Sequence, residues 1–222
     1  MLDSVIAEIK SASSEDYALF QRKMLQSVDG YGKGDLLLGC RVPHLRKIAQ
    51  RHRLVSEADL LRLLRSDYHE VRVLALLIMV WKFHAIQNSR EELVKMYLEN
   101  VFFINNWDLV DLSCHHIIGS YFDPEDEIFE RFSNSNNLWE NRISIVSTQT
   151  FIKKDYFDLT LRLSKKFLKH QHHLIHKACG WMLREVGKRN EGVLKKFLRE
   201  HRENMPRIMF SYAKERLLDL KL

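Results

Sequence analysis

Apolar residues recur along this chain with the period of an α-helix rather than with the alternation of a β-strand. From Val71 to Trp81 the apolar run is nearly continuous, with Arg72 as its one charged position. A run of this length exceeds a typical strand, so it predicts a buried helix. Leucine occupies four of the five positions in residues 60–64, beside Arg62, and this amphipathic stripe predicts another helix.

Polar and proline residues mark the expected helix starts. Ser56, followed by acidic residues, has the pattern of an N-cap and an acidic first turn. Pro43 suits the first turn of a helix, and Pro124 and Pro206 are interpreted in the same way. The chain contains only 3 Pro and 8 Gly, which favours helices over a turn-rich β architecture.

One segment, residues 29–35, is expected to be a loop because Gly30, Gly32 and Gly34 would break any helix. A glycine-rich loop can cradle phosphates. This segment, however, lacks the Gly-Lys-Ser/Thr ending of a P-loop and follows no predicted strand. A connector between helices is the favoured interpretation, and phosphate binding is the alternative.

A weak internal repeat organises the predicted helices. Five repeat positions are separated by 36, 34, 35 and 34 residues along the chain. These positions are Arg72, Asp108, Arg142, Lys177 and Ser211. Each lies near the start of an apolar helix: Val71–Trp81, Leu109–Ile118, Ile143–Ile152, Ala178–Val186 and Tyr212–Leu220. A shorter helix, such as Leu159–Leu168, lies between neighbours. The spacing predicts an all-α, HEAT-like α-solenoid of antiparallel helix pairs, in one domain over residues 1–222. The five repeat positions would then line one surface, a concave basic face.

Charge and cysteine content indicate which partners and which cellular compartment to expect. Lys and Arg exceed Asp and Glu by 35 to 29 among 222 residues, a basic balance that permits a polyanionic partner such as nucleic acid. The three cysteines form no CxxC pair, which favours a reducing cytoplasm over a disulfide framework. The chain starts without the pattern of a signal peptide, and no apolar run is long enough for a membrane span. We therefore expect a cytoplasmic monomer without a membrane partner.

Two candidate functional residues share one helical face. Trp107 and Asp111 are four residues apart, so their side chains project from the same side, with His115 one turn further on. A functional interpretation uses the carboxylate and the indole at a reacting centre. The alternative is structural, with Trp107 packed in the core and Asp111 paired with a basic neighbour.

Basic residues accompany aromatic ones on two later helices. Arg142 follows Trp139 by three residues, and its guanidinium matches phosphate oxygens, although it could instead lie over that indole. A second stripe, spaced by four, three and four residues, comprises Lys177, Trp181, Arg184 and Lys188. Such a stripe suits contact with phosphates and stacking on a sugar or base. An ordinary solvated face with a half-buried Trp181 is the alternative.

Histidine and cysteine patterns give weaker signals. His172 and His176 have the spacing of zinc ligands, but no HExxH pattern accompanies them, so we expect neither a metal nor a cofactor. Cys114 is a poor nucleophile candidate, because the adjacent His115 points to a different side of the helix.

These segments, in their order and spacing, resemble the AlkD-like family of DNA alkylation repair proteins, which are HEAT-like DNA glycosylases. The similarity covers nearly the whole chain and rests on Tyr31–Asp35, Leu38–Pro43, Arg46–Lys47, Glu70–Arg72, Asn106–Asp111, Trp139–Arg142, Lys177–Glu185 and, more weakly, Met205–Arg207. Each fragment alone is unspecific, whereas their combination is specific.

The resemblance implies a function for the candidate residues. Family members hold duplex DNA in a basic concavity and excise cationic N3- and N7-alkylated purines. By position, Trp107 and Trp181 match the indoles that contact the deoxyribose, Asp111 the catalytic carboxylate and Arg142 the phosphate-binding arginine. No metal is required, since a cationic purine leaves without acid assistance and a carboxylate can stabilise the oxocarbenium-like sugar.

The sequence also departs from the family pattern. Ser211 stands where many relatives carry arginine, which removes a cation from the row formed by the five repeat positions. Tyr31 is only a candidate counterpart of a tyrosine that the family carries early in the chain. A non-catalytic HEAT-like module that binds damaged or branched DNA is therefore the alternative to a glycosylase, and a protein-interaction scaffold is the third possibility.

Overall fold

A computed structural model of the protein describes residues 2–26 and 30–217. These residues are mostly α-helical, and apart from two isolated bridges, Ser13 to Cys40 and Leu36 to Tyr68, they contain no β-structure. The predicted class, an all-α HEAT-like α-solenoid, is confirmed in its helical content and in its succession of helices. The chain forms two compact units, residues 1–113 and 114–222. The expectation of a single domain stays a prediction.

The first unit is built around a long buried helix. In chain order, its helices are α1 (Leu2–Ser11), α2 (Glu15–Leu25), α3 (Val42–Arg51), α4 (Glu57–Leu64), α5 (His69–Ala85), α6 (Arg90–Glu99) and the start of α7 (Trp107–Tyr121). Short 3₁₀ turns occupy Gln87–Ser89 and Val101–Phe103. Helix α5 packs against α3 and α4, so its apolar run forms the core of the unit.

The second unit is centred on another long helix. It contains the rest of α7, then α8 (Glu127–Ser133), α9 (Leu138–Val146), α10 (Gln149–Ile152), α11 (Asp158–Lys166), α12 (His173–Arg189), α13 (Glu191–His201) and α14 (Arg207–Lys214). A 3₁₀ turn, Phe167–Lys169, follows α11. Helix α12 packs against α9, α11, α13 and α14, which fixes the side chains of its central turns.

Local sequence signals predicted several of these helices. Helix α5 contains the whole apolar run, Pro43 lies in the first turn of α3, and the Ser56 hydroxyl accepts a hydrogen bond from the Asp59 N–H at 3.1 Å. The Pro124 expectation is wrong, because α8 begins only after Asp126, whose carboxylate caps the Ile128 N–H at 2.9 Å.

Two other expected helices have different bounds. The segment Ile143–Ile152 is divided between α9 and α10, since residues 147 and 148 leave the regular helix. Helix α14 ends at Lys214, and the end of the expected helix Tyr212–Leu220 lies outside the described residues.

All three cysteines, Cys40, Cys114 and Cys179, are reduced and buried. Burial, reinforced by the nearby charge of Glu70, raises the pKa of the Cys40 thiol to about 11, and burial likewise raises the pKa of Cys179. These thiols therefore belong to the packed interior.

Within the described part of the chain, no helix combines the length and the apolarity that crossing a membrane requires.

Candidate functional site

Helix α7 presents the first candidate pair. Trp107 is its first residue, Asp111 lies one turn later, and both side chains are half-buried. The start of the helix is fixed by Asn106, which is fully buried. Its Oδ1 accepts the Trp107 backbone N–H at 2.9 Å, and its Nδ2 donates to the Leu25 carbonyl at 2.8 Å. The indole therefore emerges from an anchored helix end.

Directly beside Trp107, a buried charge cluster ties α7 to the rest of the first unit. We define the buried charge cluster as Asp35, His69 and Arg72 together with Asp108, whose side chain is 22% exposed. His69 Nε2 lies 2.8 Å from Asp108 Oδ2, and its Nδ1 lies 3.2 Å from Asp35 Oδ2. Arg72 forms an ion pair with the same Asp35 carboxylate. Two carboxylates thus face one guanidinium and one imidazole, and the cluster is neutral when His69 is protonated.

The two carboxylates keep this histidine charged. Burial alone lowers the pKa of His69, but the charge of Asp108 and hydrogen bonds to Asp108 and Asp35 outweigh it and raise the pKa to about 9, against the opposing charge of Arg72. For Asp35, burial raises the pKa, and hydrogen bonds from His69 and Arg72 outweigh burial and hold it below its usual value. At neutral pH the α7 start is therefore held by buried ionic hydrogen bonds.

The raised pKa of His69 gives the fold a pH dependence. A histidine with a pKa of 6.5 when unfolded and about 9 when folded stabilises the protein fully below pH 6.5. That stabilisation is lost as the pH rises through 9. We expect the unfolding free energy to fall on the order of 3 kcal/mol across this window, measured by denaturant unfolding.

The matched substitutions are His69→Asn and His44→Asn, the latter at an exposed position on α3. His69→Asn should lower stability at pH 6 and flatten the decline towards pH 9.5, whereas His44→Asn should retain the wild-type profile. An undiminished decline in His69→Asn would contradict the assignment.

Residues 30–40 are joined to α5 by a second buried carboxylate. Glu70 is fully buried and accepts three backbone N–H groups, from Leu38 at 3.0 Å, Gly39 at 2.7 Å and Cys40 at 3.3 Å. Gly39 has φ +83°, and a Cβ there would lie 2.0 Å from the Ser14 carbonyl oxygen, so only glycine fits.

The glycine-rich loop itself packs against the α7 anchor. A Cβ on Gly32 would lie 2.2 Å from the Leu25 carbonyl oxygen and 3.0 Å from Asn106 Nδ2. The loop is thus closely packed at Gly32, whereas a Cβ on Gly30 or Gly34 would meet nothing within 4 Å. The described part of the segment connects α2 to α3 without helix, as the favoured interpretation expected; Asp29 lies outside the described residues.

The five repeat positions do not form one uniformly exposed surface. Arg72 is 4% exposed, so the expectation that it lines an exposed face is wrong. Its guanidinium is held by Asp35, the Ser66 carbonyl at 3.1 Å and Asn105 Oδ1 at 3.2 Å. The sequence could not show this, because Asp35 and Arg72 are 37 residues apart.

In the second unit, Arg142 is also largely buried. It is 5% exposed, and its Nη1 donates to the Leu174 carbonyl at 2.6 Å, in the first turn of α12. Trp139, the neighbour with which the sequence paired it, is buried as well. A phosphate contact by Arg142 would therefore involve only the edge of the side chain that reaches solvent.

A polar chain that sequence reasoning missed positions the start of α12. Asn141 Oδ1 lies 3.0 Å from His170 Nε2, His170 Nδ1 accepts the His172 N–H at 3.0 Å, and His172 Nδ1 accepts the Leu174 N–H at 3.2 Å. His172 thus caps a helix. No group of three or more potential metal ligands occurs in residues 2–26 and 30–217.

The stripe along α12 is partly neutralised. Lys177 and Trp181 are half-buried. Arg184 pairs with Glu215 and lies 3.8 Å from Glu185, and Lys188 pairs with Glu185. Glu215 is 58% exposed, and a pair with an exposed carboxylate contributes at most about 1 kcal/mol, so Arg184 can exchange Glu215 for a phosphate. Glu185, the partner of Lys188, is only 19% exposed. Ser211 is exposed on α14, as its place in the row predicted.

Comparisons with known proteins give a consistent result. A family model described as "DNA alkylation repair enzyme" matches residues 5–217. One similar solved structure is described as "Predicted DNA alkylation repair enzyme from Enterococcus faecalis". It has a TM-score of 0.72 and 14% sequence identity, covering 93% of this chain and 97% of that chain, which shows a shared fold. No curated protein matches the chain.

Proposed function

Because the chain belongs to the family of DNA alkylation repair enzymes, we propose that it is a DNA glycosylase that removes cationic N3- or N7-alkylated purines from duplex DNA. Family membership supports a role in DNA alkylation repair and DNA as the partner. The observation that carries the finer assignment is the anchored α7 start, where Trp107 and Asp111 project one turn apart from a helix end held by buried ionic contacts.

The proposed reaction requires few catalytic groups besides a carboxylate held in a fixed position. Alkylation puts a positive charge on the purine, so the base leaves when the N-glycosidic bond breaks and its electrons neutralise that charge. The sugar becomes oxocarbenium-like. The Asp111 carboxylate would stabilise this cation and position the water whose oxygen adds to C1′, with the water proton passing to solvent. The negative face of the Trp107 indole would favour the same cation.

Residues of the second unit are proposed to hold the DNA. Arg142, through its solvent-facing edge, and Lys177 would contact backbone phosphates, as would Arg184 and Lys188 after exchanging their carboxylate partners. The half-buried Trp181 would pack against deoxyribose. The resemblance to the AlkD-like family supports the roles of Arg142 and Trp181, whereas those of Lys177, Arg184 and Lys188 are inferred from their spacing along α12.

The direct test is release of modified bases from methylated duplex DNA, separated by chromatography. We expect wild-type protein to release 7-methylguanine or 3-methyladenine under single-turnover conditions. Undamaged duplex of the same sequence is the substrate control. Tight binding without any release would contradict the glycosylase assignment and favour the non-catalytic DNA-binding module.

Arg142→Ala should weaken binding to duplex DNA and reduce its salt dependence. Loss of one phosphate contact is expected to lower the slope of log K against log salt by about 0.9. The variant also leaves the buried Leu174 carbonyl without its guanidinium donor, so some loss of stability should accompany the change. Fluorescence anisotropy with labelled duplex at several salt concentrations measures the slope.

The control is Arg162→Ala, which removes the same charge from an exposed arginine paired with Glu130 on the same unit. It should leave the slope unchanged. Equal slopes for wild type and Arg142→Ala would argue against the phosphate contact.

A further inference from the structure

One short segment of the first unit carries several positive charges and no negative charge. Residues 36–56 contain five Lys or Arg and no Asp or Glu. A second run, residues 159–184 in the second unit, contains six Lys or Arg and no Asp or Glu. A run of basic residues without acidic neighbours in sequence creates a local field that a dispersed excess would not.

The fold turns this segment into a basic surface. Helix α3 buries Leu45, Ile48 and Ala49 against the first unit. Its opposite side exposes the cations Arg46, Lys47 and Arg51 on successive turns, and the polar residues His44 and Gln50 are exposed on the same helix. Lys47, Gln50 and Arg51 also line a shallow surface cleft with Arg53 and Leu54.

Two of these cations face solvent rather than carboxylates. Arg51 pairs with Glu8, and the Arg53 guanidinium lies over the Trp81 ring at 5.3 Å. For Arg46 and Lys47, by contrast, no acidic side chain of residues 2–26 or 30–217 lies within 4.0 Å. Nothing in the described structure neutralises the middle of this surface.

We propose that the α3 surface, defined as Arg46, Lys47, Gln50, Arg51 and Arg53, binds the sugar-phosphate backbone of duplex DNA. This inference rests on the proposed function in taking DNA as the partner, but it adds a contact area in the first unit. The composition favours nucleic acid over an acidic protein. Protein interfaces are depleted of charge at their centre, whereas arginine forks and an amide suit phosphate and sugar oxygens.

The test measures binding of unmodified duplex DNA, which does not depend on base release. The variant R46A/K47A should lower the slope of log K against log salt by about 1.8, for two lost phosphate contacts. The control R62A/K95A removes the same total charge from α4 and α6, where both side chains are more than 70% exposed, and should keep the wild-type slope. The charge-preserving R46K/K47R should keep it as well, which separates charge loss from misfolding.

Each outcome decides the proposal. A lowered slope in R46A/K47A alone supports the α3 surface, even if wild type releases no methylated base and the glycosylase proposal fails. An unchanged slope, or an equal fall in R62A/K95A, overturns it while leaving the glycosylase proposal intact. Displacement of DNA by poly-L-glutamate at equal charge concentration would overturn the choice of nucleic acid over an acidic protein.

Discussion

Asp111→Asn is expected to slow the release of cationic alkylated purines by roughly 30- to 900-fold, a loss on the order of 2–4 kcal/mol of transition-state stabilisation. The amide keeps the size of the carboxylate but carries no charge to oppose the developing sugar cation. Binding of unmodified DNA should change little, because the substitution removes no positive group. The measurement is the single-turnover rate of base release from methylated duplex.

A matched control is Asp123→Asn, which removes the same charge from an exposed residue after α7. It should release bases at the wild-type rate. If Asp111→Asn instead weakens DNA binding and releases bases normally once saturated with DNA, Asp111 is not the catalytic carboxylate.

Glu70→Gln is expected to destabilise the first unit by about 3 kcal/mol. The carboxylate accepts backbone N–H groups from Leu38, Gly39 and Cys40 in a fully buried position. An amide turns one accepting oxygen into a donor that faces those N–H groups, so at least one buried hydrogen bond is lost and a donor is left unsatisfied. For a chain of this size, the melting temperature should fall by about 6–12 °C.

The comparison for this variant is Glu99→Gln, which alters an exposed glutamate 3.9 Å from Lys95 and should shift stability by less than about 0.5 kcal/mol. Thermal unfolding followed by circular dichroism compares the two. A melting temperature of Glu70→Gln within 1–2 °C of wild type would refute the capping role.

The helices were predictable where local chemistry decides them. The apolar run that became α5, the Ser56 cap of α4 and the Pro43 start of α3 each depend on residues within a turn or two. The start of α8 was mispredicted because the Asp126 cap, and not Pro124, determines it. The break between α9 and α10 also escaped prediction, since its apolar pattern continues across the interruption.

The candidate residues on α7 were predictable from spacing and resemblance, but the buried contacts that hold the start of this helix were not. His69 contacts carboxylates 34 and 39 residues away in sequence, and Asn106 reaches a carbonyl 81 residues away. No local period encodes such partners. The available signal was the presence of ionisable residues at the start of a helix with an apolar body, as at His69, Glu70 and Arg72, since buried charges require partners.

The burial of Cys40, Cys114 and Cys179 has a consequence for a member of a DNA alkylation repair family. The electrophiles that methylate purines also attack thiols, and they react with the thiolate rather than with the protonated form. The raised pKa of Cys40 and Cys179 suppresses the thiolate form of these residues. Burial of all three side chains keeps reagents away from the sulfur atoms. The fold is thereby resistant to self-alkylation under the chemical stress that produces its proposed substrate.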